Sequence, residues 1–237
     1  MIRIIPGKTN EEASISAANV VSDVIKAKPN CVLGLATGSS PINMYKELIR
    51  QNQAGEISFK NVKSVNLDEY VGLAPDHDQS YRYFMNTNLF DHVNIDKART
   101  AVPSGISDDL AAEGAAYDKH IEDLGGIDLQ LLGIGLDGHI GFNEPADVFV
   151  KETHVVDLHE STIEANARFF EKKEDVPRKA ITMGMGAIMN AKKVLLVANG
   201  AAKKDIIEKS FFGPITPQVP ASILQLHPDV TVIYSEN

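Results

Sequence analysis

Residues 133–145 read Gly-Ile-Gly-Leu-Asp-Gly-His-Ile-Gly-Phe-Asn-Glu-Pro, and this stretch is the best suited to chemistry. Asp137 and His139 stand two apart, and Glu144 follows. A histidine can carry a proton near neutral pH, and a carboxylate beside it can fix its tautomer. Two residues that close can converge in a tight glycine turn, and Gly133, Gly135, Gly138 and Gly141 supply such turns. The apolar run 127–132 before the stretch predicts a buried strand. The stretch is then a loop at a strand's carboxyl end, where open α/β sheets hold their ligands. A purely structural histidine is the bland alternative. Nothing supports metal ligation: there is no His-x-x-x-His pair and no second cysteine. Nor is there a Gly-x-Ser-x-Gly elbow to mark a serine nucleophile.

Three other places hold residues that could act. Thr37-Gly38-Ser39-Ser40 precedes a helix expected over 42–53, with Ser40 as its N-cap and Pro41 at the first helical position. Free N–H groups, hydroxyls and the helix dipole together make an anion site, although an ordinary capped turn looks the same. The turn lacks the Gly-Lys-Ser/Thr ending of a Walker loop and the spaced glycines of a dinucleotide fingerprint. Asp68-Glu69 ends a strand expected over 62–67. Adjacent carboxylates in a loop are commonly just solvated, but an aspartate there, partly desolvated, could serve as a base towards a carbon acid. Arg168 lies in a polar helix, and Lys203 and Lys204 lie in the first turn of a helix expected over 201–210, where a cation opposes the dipole. Solvation alone explains most such side chains.

Strand and helix signals alternate along the whole chain. Thr9 and Glu12 offer a capping box for a helix over about 10–28. Buried strands are expected over 31–36, 127–132 and 193–198, and a last one over 230–234. Leu110, Gly114, Tyr117, Ile121 and Leu124 mark another helix. A charged, proline-ended connection over 171–177 is a candidate flap. The pattern implies an α/β fold: an open, mainly parallel, Rossmann-like sheet with helices on both faces, in a single domain over 1–237. The 237 residues, 43% hydrophobic and 23% charged, suffice for a sizeable core. A formal net charge of −9 argues against nucleic acid or an anionic membrane as the partner. The one cysteine, Cys31, sits in an apolar run, so no intramolecular disulfide forms and a cytoplasmic home is expected. Residues 1–6 are too short for a signal-peptide core, and no apolar run is long enough to span a membrane.

Asp68-Glu69-Tyr70-Val71-Gly72 and the 133–145 stretch resemble the glucosamine-6-phosphate deaminases. The resemblance extends to Thr37-Gly38-Ser39-Ser40-Pro41, Asn166-Ala167-Arg168-Phe169-Phe170 and Leu224-Gln225-Leu226-His227-Pro228, and so covers nearly the whole chain. It implies conversion of glucosamine 6-phosphate and water into fructose 6-phosphate and ammonia, without metal or cofactor. Asp68 would then be the base that moves a proton from C2 to C1. His139 would open the pyranose ring, held and polarised by Asp137 and Glu144. Substrate and phosphate would meet Thr37, Gly38, Ser39, Ser40, Glu69, Arg168 and Lys203, under a mobile lid at about 158–177. The 6-phosphogluconolactonases share an Asp-Gly-His loop but are not expected to carry Phe142-Asn143-Glu144-Pro145 after it. A sugar-phosphate sensor on the same fold would usually carry an added DNA-binding segment. Residues 148–156 lack the arginine and lysine pair through which some members bind N-acetylglucosamine 6-phosphate, and the chain ends soon after its last strand. The resemblance therefore implies an unregulated enzyme, monomeric or of low order and not hexameric.

Overall fold

The computed structural model describes residues 2–236. Met1, where the leader reading begins, and Asn237, where the given chain ends, lie outside the described residues. Strand β1 (Ile2–Gly7) leads into α1 (Asn10–Ala27) through a cap: Thr9 Oγ1 accepts the N–H of Glu12 at 3.1 Å. Glu12 reaches back to the N–H of Lys8, one residue earlier than a capping box requires. Such a cap is worth about 1 kcal/mol. Ala13, Ala17, Ala18, Val21 and Ile25 bury one face of α1, at the spacing of an amphipathic helix.

Next come β2 (Val32–Leu35), α2 (Ile42–Gln53), β3 (Lys63–Asn66) and β4 (Asp68–Tyr70). Helix α3 (Tyr81–Asn88) is capped by Ser80, and β5 (Thr100–Ala101) precedes α4 (Leu110–Asp123). Then follow β6 (Leu129–Leu132), β7 (His154–Asp157), α5 (Glu160–Asn166), β8 (Lys179–Thr182), α6 (Met185–Asn190), β9 (Val194–Asn199), α7 (Lys204–Phe212) and β10 (Val230–Ser235). A 3₁₀ turn (Ala201–Lys203) replaces the expected start of α7.

Seven strands form one parallel sheet in the order β1-β10-β9-β6-β2-β3-β5. From β2 the chain steps outward through β3 to β5, and from β6 it steps the other way through β9 to β10. Right-handed crossovers in opposite directions put α1 and α2 on one face and α4 and α7 on the other. The expected open α/β sheet is therefore present. Its inner strands β2, β6 and β9 are buried on both faces, whereas the edge strand β1 is largely exposed, and each fully buried Leu or Val adds about 1.5–3 kcal/mol. The order reverses between β2 and β6, which makes their carboxyl ends the switch-point crevice.

Two features depart from the sequence reading. Asp68–Tyr70, expected as loop, is a strand of a second sheet, β4-β8-β7, which is antiparallel. Strand β8 is not among the expected elements, because Lys179–Thr182 lacks the longer apolar stretch that marks β2 and β6. This sheet has its own apolar cluster of Tyr70, Phe142, Leu158, Ile163, Val176 and Ala180, with Phe170 packed against it. The 158–177 segment is thus docked through Leu158, Ile163 and Val176.

Candidate active site

Loops from four neighbouring strands, β9, β6, β2 and β3, meet at the crevice. The loop after β6 brings Asp137 and His139 together as their spacing implied. Nδ1 of His139 lies 2.7 Å from Oδ1 of Asp137, at ion-pair distance but off the line of a straight N–H···O bond. The same oxygen accepts the backbone N–H of His139 at 3.1 Å. Burial works against the Asp137 charge, but the His139 imidazole and N–H outweigh it and hold the carboxyl down at about 2. Gly135 leaves room for the ring, since a Cβ there would come to 2.2 Å from Cε1 of His139.

Asp68 begins β4 and is only 6% exposed. Burial, and then the neighbouring Glu69 charge, push its carboxyl up to about 8. It faces the His139 loop: a Cβ on Gly141 would lie 3.4 Å from Oδ2 of Asp68. A carboxyl held near neutrality therefore stands across from the loop that carries the Asp137–His139 pair.

Glu69 takes the other face of β4, because successive strand residues alternate. Its Oε1 accepts the N–H groups of Tyr70 and Tyr81, and its Oε2 that of Arg82. Glu69, expected to meet substrate, in the structure caps α3. Glu144, expected beside His139, is also bonded elsewhere: it accepts from the N–H of His159 and from Oγ1 of Thr162. A carboxylate five residues from a histidine points wherever donors are offered, and α5 offers them.

Thr37, Gly38, Ser39 and Ser40 follow β2, with Gly38 at φ 88°. Ser40 does not cap α2. Pro41 occupies the cap position with no side-chain bond, so the first amides of α2 have no side-chain partner. That suits an anion better than a capped turn does. Lys203 is half-buried, and its amine donates to the carbonyl of Ile134 at 2.6 Å, at the start of the His139 loop. Burial pushes its pKa down while Asp137 pushes it up. Lys204 is exposed and pairs with Glu236 at 3.2 Å, so Lys203 is the lysine turned to the crevice. Arg168 is exposed, lies 4.7 Å over the Phe169 ring and makes no ion pair among the described residues. Its neighbours Asn166, Phe169 and Phe170 line one cavity with Gly38 of the 37–40 turn.

A cavity of about 140 Å³ opens between Gly38, Tyr70, Tyr81 and residues Asn166, Phe169 and Phe170. A larger one, about 290 Å³, lies behind Glu144 against Phe149, His154 and Met185. The Asp137–His139 couple lines neither cavity. Among the described residues no cluster of three or more His, Cys, Asp or Glu could hold a metal ion.

Residues 8–233 match the family described as glucosamine-6-phosphate isomerases/6-phosphogluconolactonase. A glucosamine-6-phosphate deaminase of Lachnoclostridium phytofermentans is 62% identical over 232 residues, covering 98% of both chains. One from Clostridium perfringens is 56% identical over 236 residues, covering 100% of this chain and 98% of the other. A solved structure described as a monomeric glucosamine-6-phosphate deaminase superposes with a TM-score of 0.96 at 46% identity, covering 98% and 97% of the two chains. A 6-phosphogluconolactonase from Thermotoga maritima, at 18% identity and a TM-score of 0.77 over 99% of each chain, shares the fold. With a family match that runs from just before α1 into β10 and two long relatives above half identity, the chain belongs to the glucosamine-6-phosphate isomerase/6-phosphogluconolactonase family.

Proposed function

We propose that the protein is a glucosamine-6-phosphate deaminase, converting glucosamine 6-phosphate and water into fructose 6-phosphate and ammonia. The observation that carries this is Asp68, buried and raised to about 8, facing the Asp137–His139 loop. His139 moves the anomeric proton to the ring oxygen, and Asp137 holds its tautomer. Asp68 takes the C2 proton and returns one to C1. The resulting C2 iminium adds water and loses ammonia. Each step is proton transfer or hydration, so no redox cofactor is required. A lactonase needs no carbon base, and the burial of Asp68 would then be a cost without a use.

The phosphate sits on Thr37, Gly38, Ser39 and Ser40, with Lys203 beside the loop and Arg168 brought in as the 158–177 segment closes. This one domain acts as a monomer or low-order oligomer, as the monomeric relative at 46% identity supports. It works in the cytoplasm, which suits its one buried, free cysteine. The test is ammonia release from glucosamine 6-phosphate, run beside hydrolysis of 6-phosphogluconolactone with no metal added. Ammonia with fructose 6-phosphate is expected. Lactone hydrolysis alone would overturn the assignment, and sugar-phosphate binding without either activity would point to a sensor.

A further inference from the structure

The side chain of Glu144 is 2% exposed, and a buried carboxylate must find donors. It finds two, both from the start of α5, and stands beside an imidazole. Oε2 accepts the N–H of His159 at 2.9 Å and lies 2.8 Å from its Nδ1. Oε1 accepts Oγ1 of Thr162 at 2.5 Å. The loop that carries Glu144 is pinned from its other side as well. Asn143 donates to the carbonyls of Ile140 and Met183, and Thr182 Oγ1 accepts the N–H of Phe142. Glu144 is thus the point where the loop bearing His139 grips α5, and α5 runs directly into the Ala167–Phe169 turn that bears Arg168.

The geometry points to Thr162 and His159 as positioning residues of the reaction. Through Glu144 they tie the 158–177 segment to the catalytic loop and set where Arg168 stands relative to the 37–40 turn. Thr162 is the stronger member because its hydroxyl is buried, whereas the His159 side chain is 50% exposed and water can replace its bond. The tie itself is geometric; its effect on turnover rests on the deaminase reading.

Thr162→Val keeps the shape and removes the hydroxyl. It should raise KM for glucosamine 6-phosphate by about tenfold, the effect of one hydrogen bond to a charged group, and lower kcat by less than about threefold. Thr162→Ser should restore KM. His159→Ala should raise KM by about two- to threefold, and His159→Asn, which returns a donor near Nδ1, should restore it. Backbone hydrogen exchange of residues 158–170 should quicken in Thr162→Val while β6 and β9 stay protected. A fall in kcat at constant KM would overturn the proposal, because Glu144 would then be held for His139 and not for the segment. Unchanged KM and unchanged exchange would overturn it, as would a failure of Ser to restore. If the wild type releases no ammonia, the deaminase reading fails. Hydrogen exchange and the affinity for inorganic phosphate, compared between wild type and Thr162→Val, then still decide the tie.

Discussion

Oδ1 of Asp137 lies 2.7 Å from Nδ1 of His139 and also accepts that residue's backbone N–H. One oxygen therefore fixes both the ring and the turn that presents it. Nε2, the other ring nitrogen, is the one proposed to meet the substrate. His139→Gln should lower kcat by about 10²–10⁴ on the ring-closed substrate and much less on an open-chain analogue. Equal losses on both, measured by steady-state kinetics, would remove the ring-opening role.

Asp68 supplies a pH signature. Its folded pKa, about 8, lies above its ordinary value of 3.8. Activity that needs the ionised base should rise with pH through about 8 in kcat/KM and level off above it. Stability runs the other way. Between 3.8 and about 8 the unfolded chain has lost the proton and the folded one keeps it, so the stability present at low pH drains away as pH rises. Asp68→Asn should therefore abolish C2 proton exchange with solvent. It should also melt higher than wild type at pH 8, with the gap closing towards pH 4. A gap that did not change with pH would count against the buried, raised carboxyl.

Gly135 separates activity from folding. A Cβ at this position meets the tip of the His139 ring, at 2.2 and 2.3 Å, and the nearby Oδ1 of Asp137 at 2.7 Å. Both side chains are partly exposed and can swing aside. Gly135→Ala should keep its melting temperature within about 5 °C of wild type yet lose about a hundredfold in kcat. Unfolding in calorimetry would show instead that the turn needs glycine for its backbone.

Lys203 and Lys204 are adjacent but face different ways. Lys203→Ala should raise KM for the phosphorylated substrate by about tenfold or more, since it removes a half-buried cation from the crevice. Lys204→Ala breaks only an exposed pair with Glu236 and should leave KM within about twofold. A reversed order in inhibition by inorganic phosphate would exchange their roles.

Regulation and assembly can be read together. Velocity should be hyperbolic in substrate and unmoved by N-acetylglucosamine 6-phosphate, and light scattering should give a monomer or a low-order species. Sigmoidal kinetics would sink the first half, and a hexamer the second.

Much of this site is local and so was legible in the residue order. The Asp137–His139 couple needs only a glycine turn two residues wide, and the loops after β2 and β6 follow from strand and helix signals on either side of them. The cap position of α2 moved by one residue, from Ser40 to Pro41, because cap geometry depends on dihedral angles that composition does not specify. What only the tertiary structure decided are pairings across long stretches of chain. Asp68 meets Gly141 because β4 leaves the main sheet to pair with β8, where Asp68 stands opposite Thr182, 114 residues later. That pairing also turns Glu69 to the opposite face, onto α3. Glu144 was legible as an acid near a histidine, but its partners lie on α5. The physical reason is the same each time. Spacing along the chain dictates what meets within a turn, whereas register and packing dictate which buried carboxylate finds which donor.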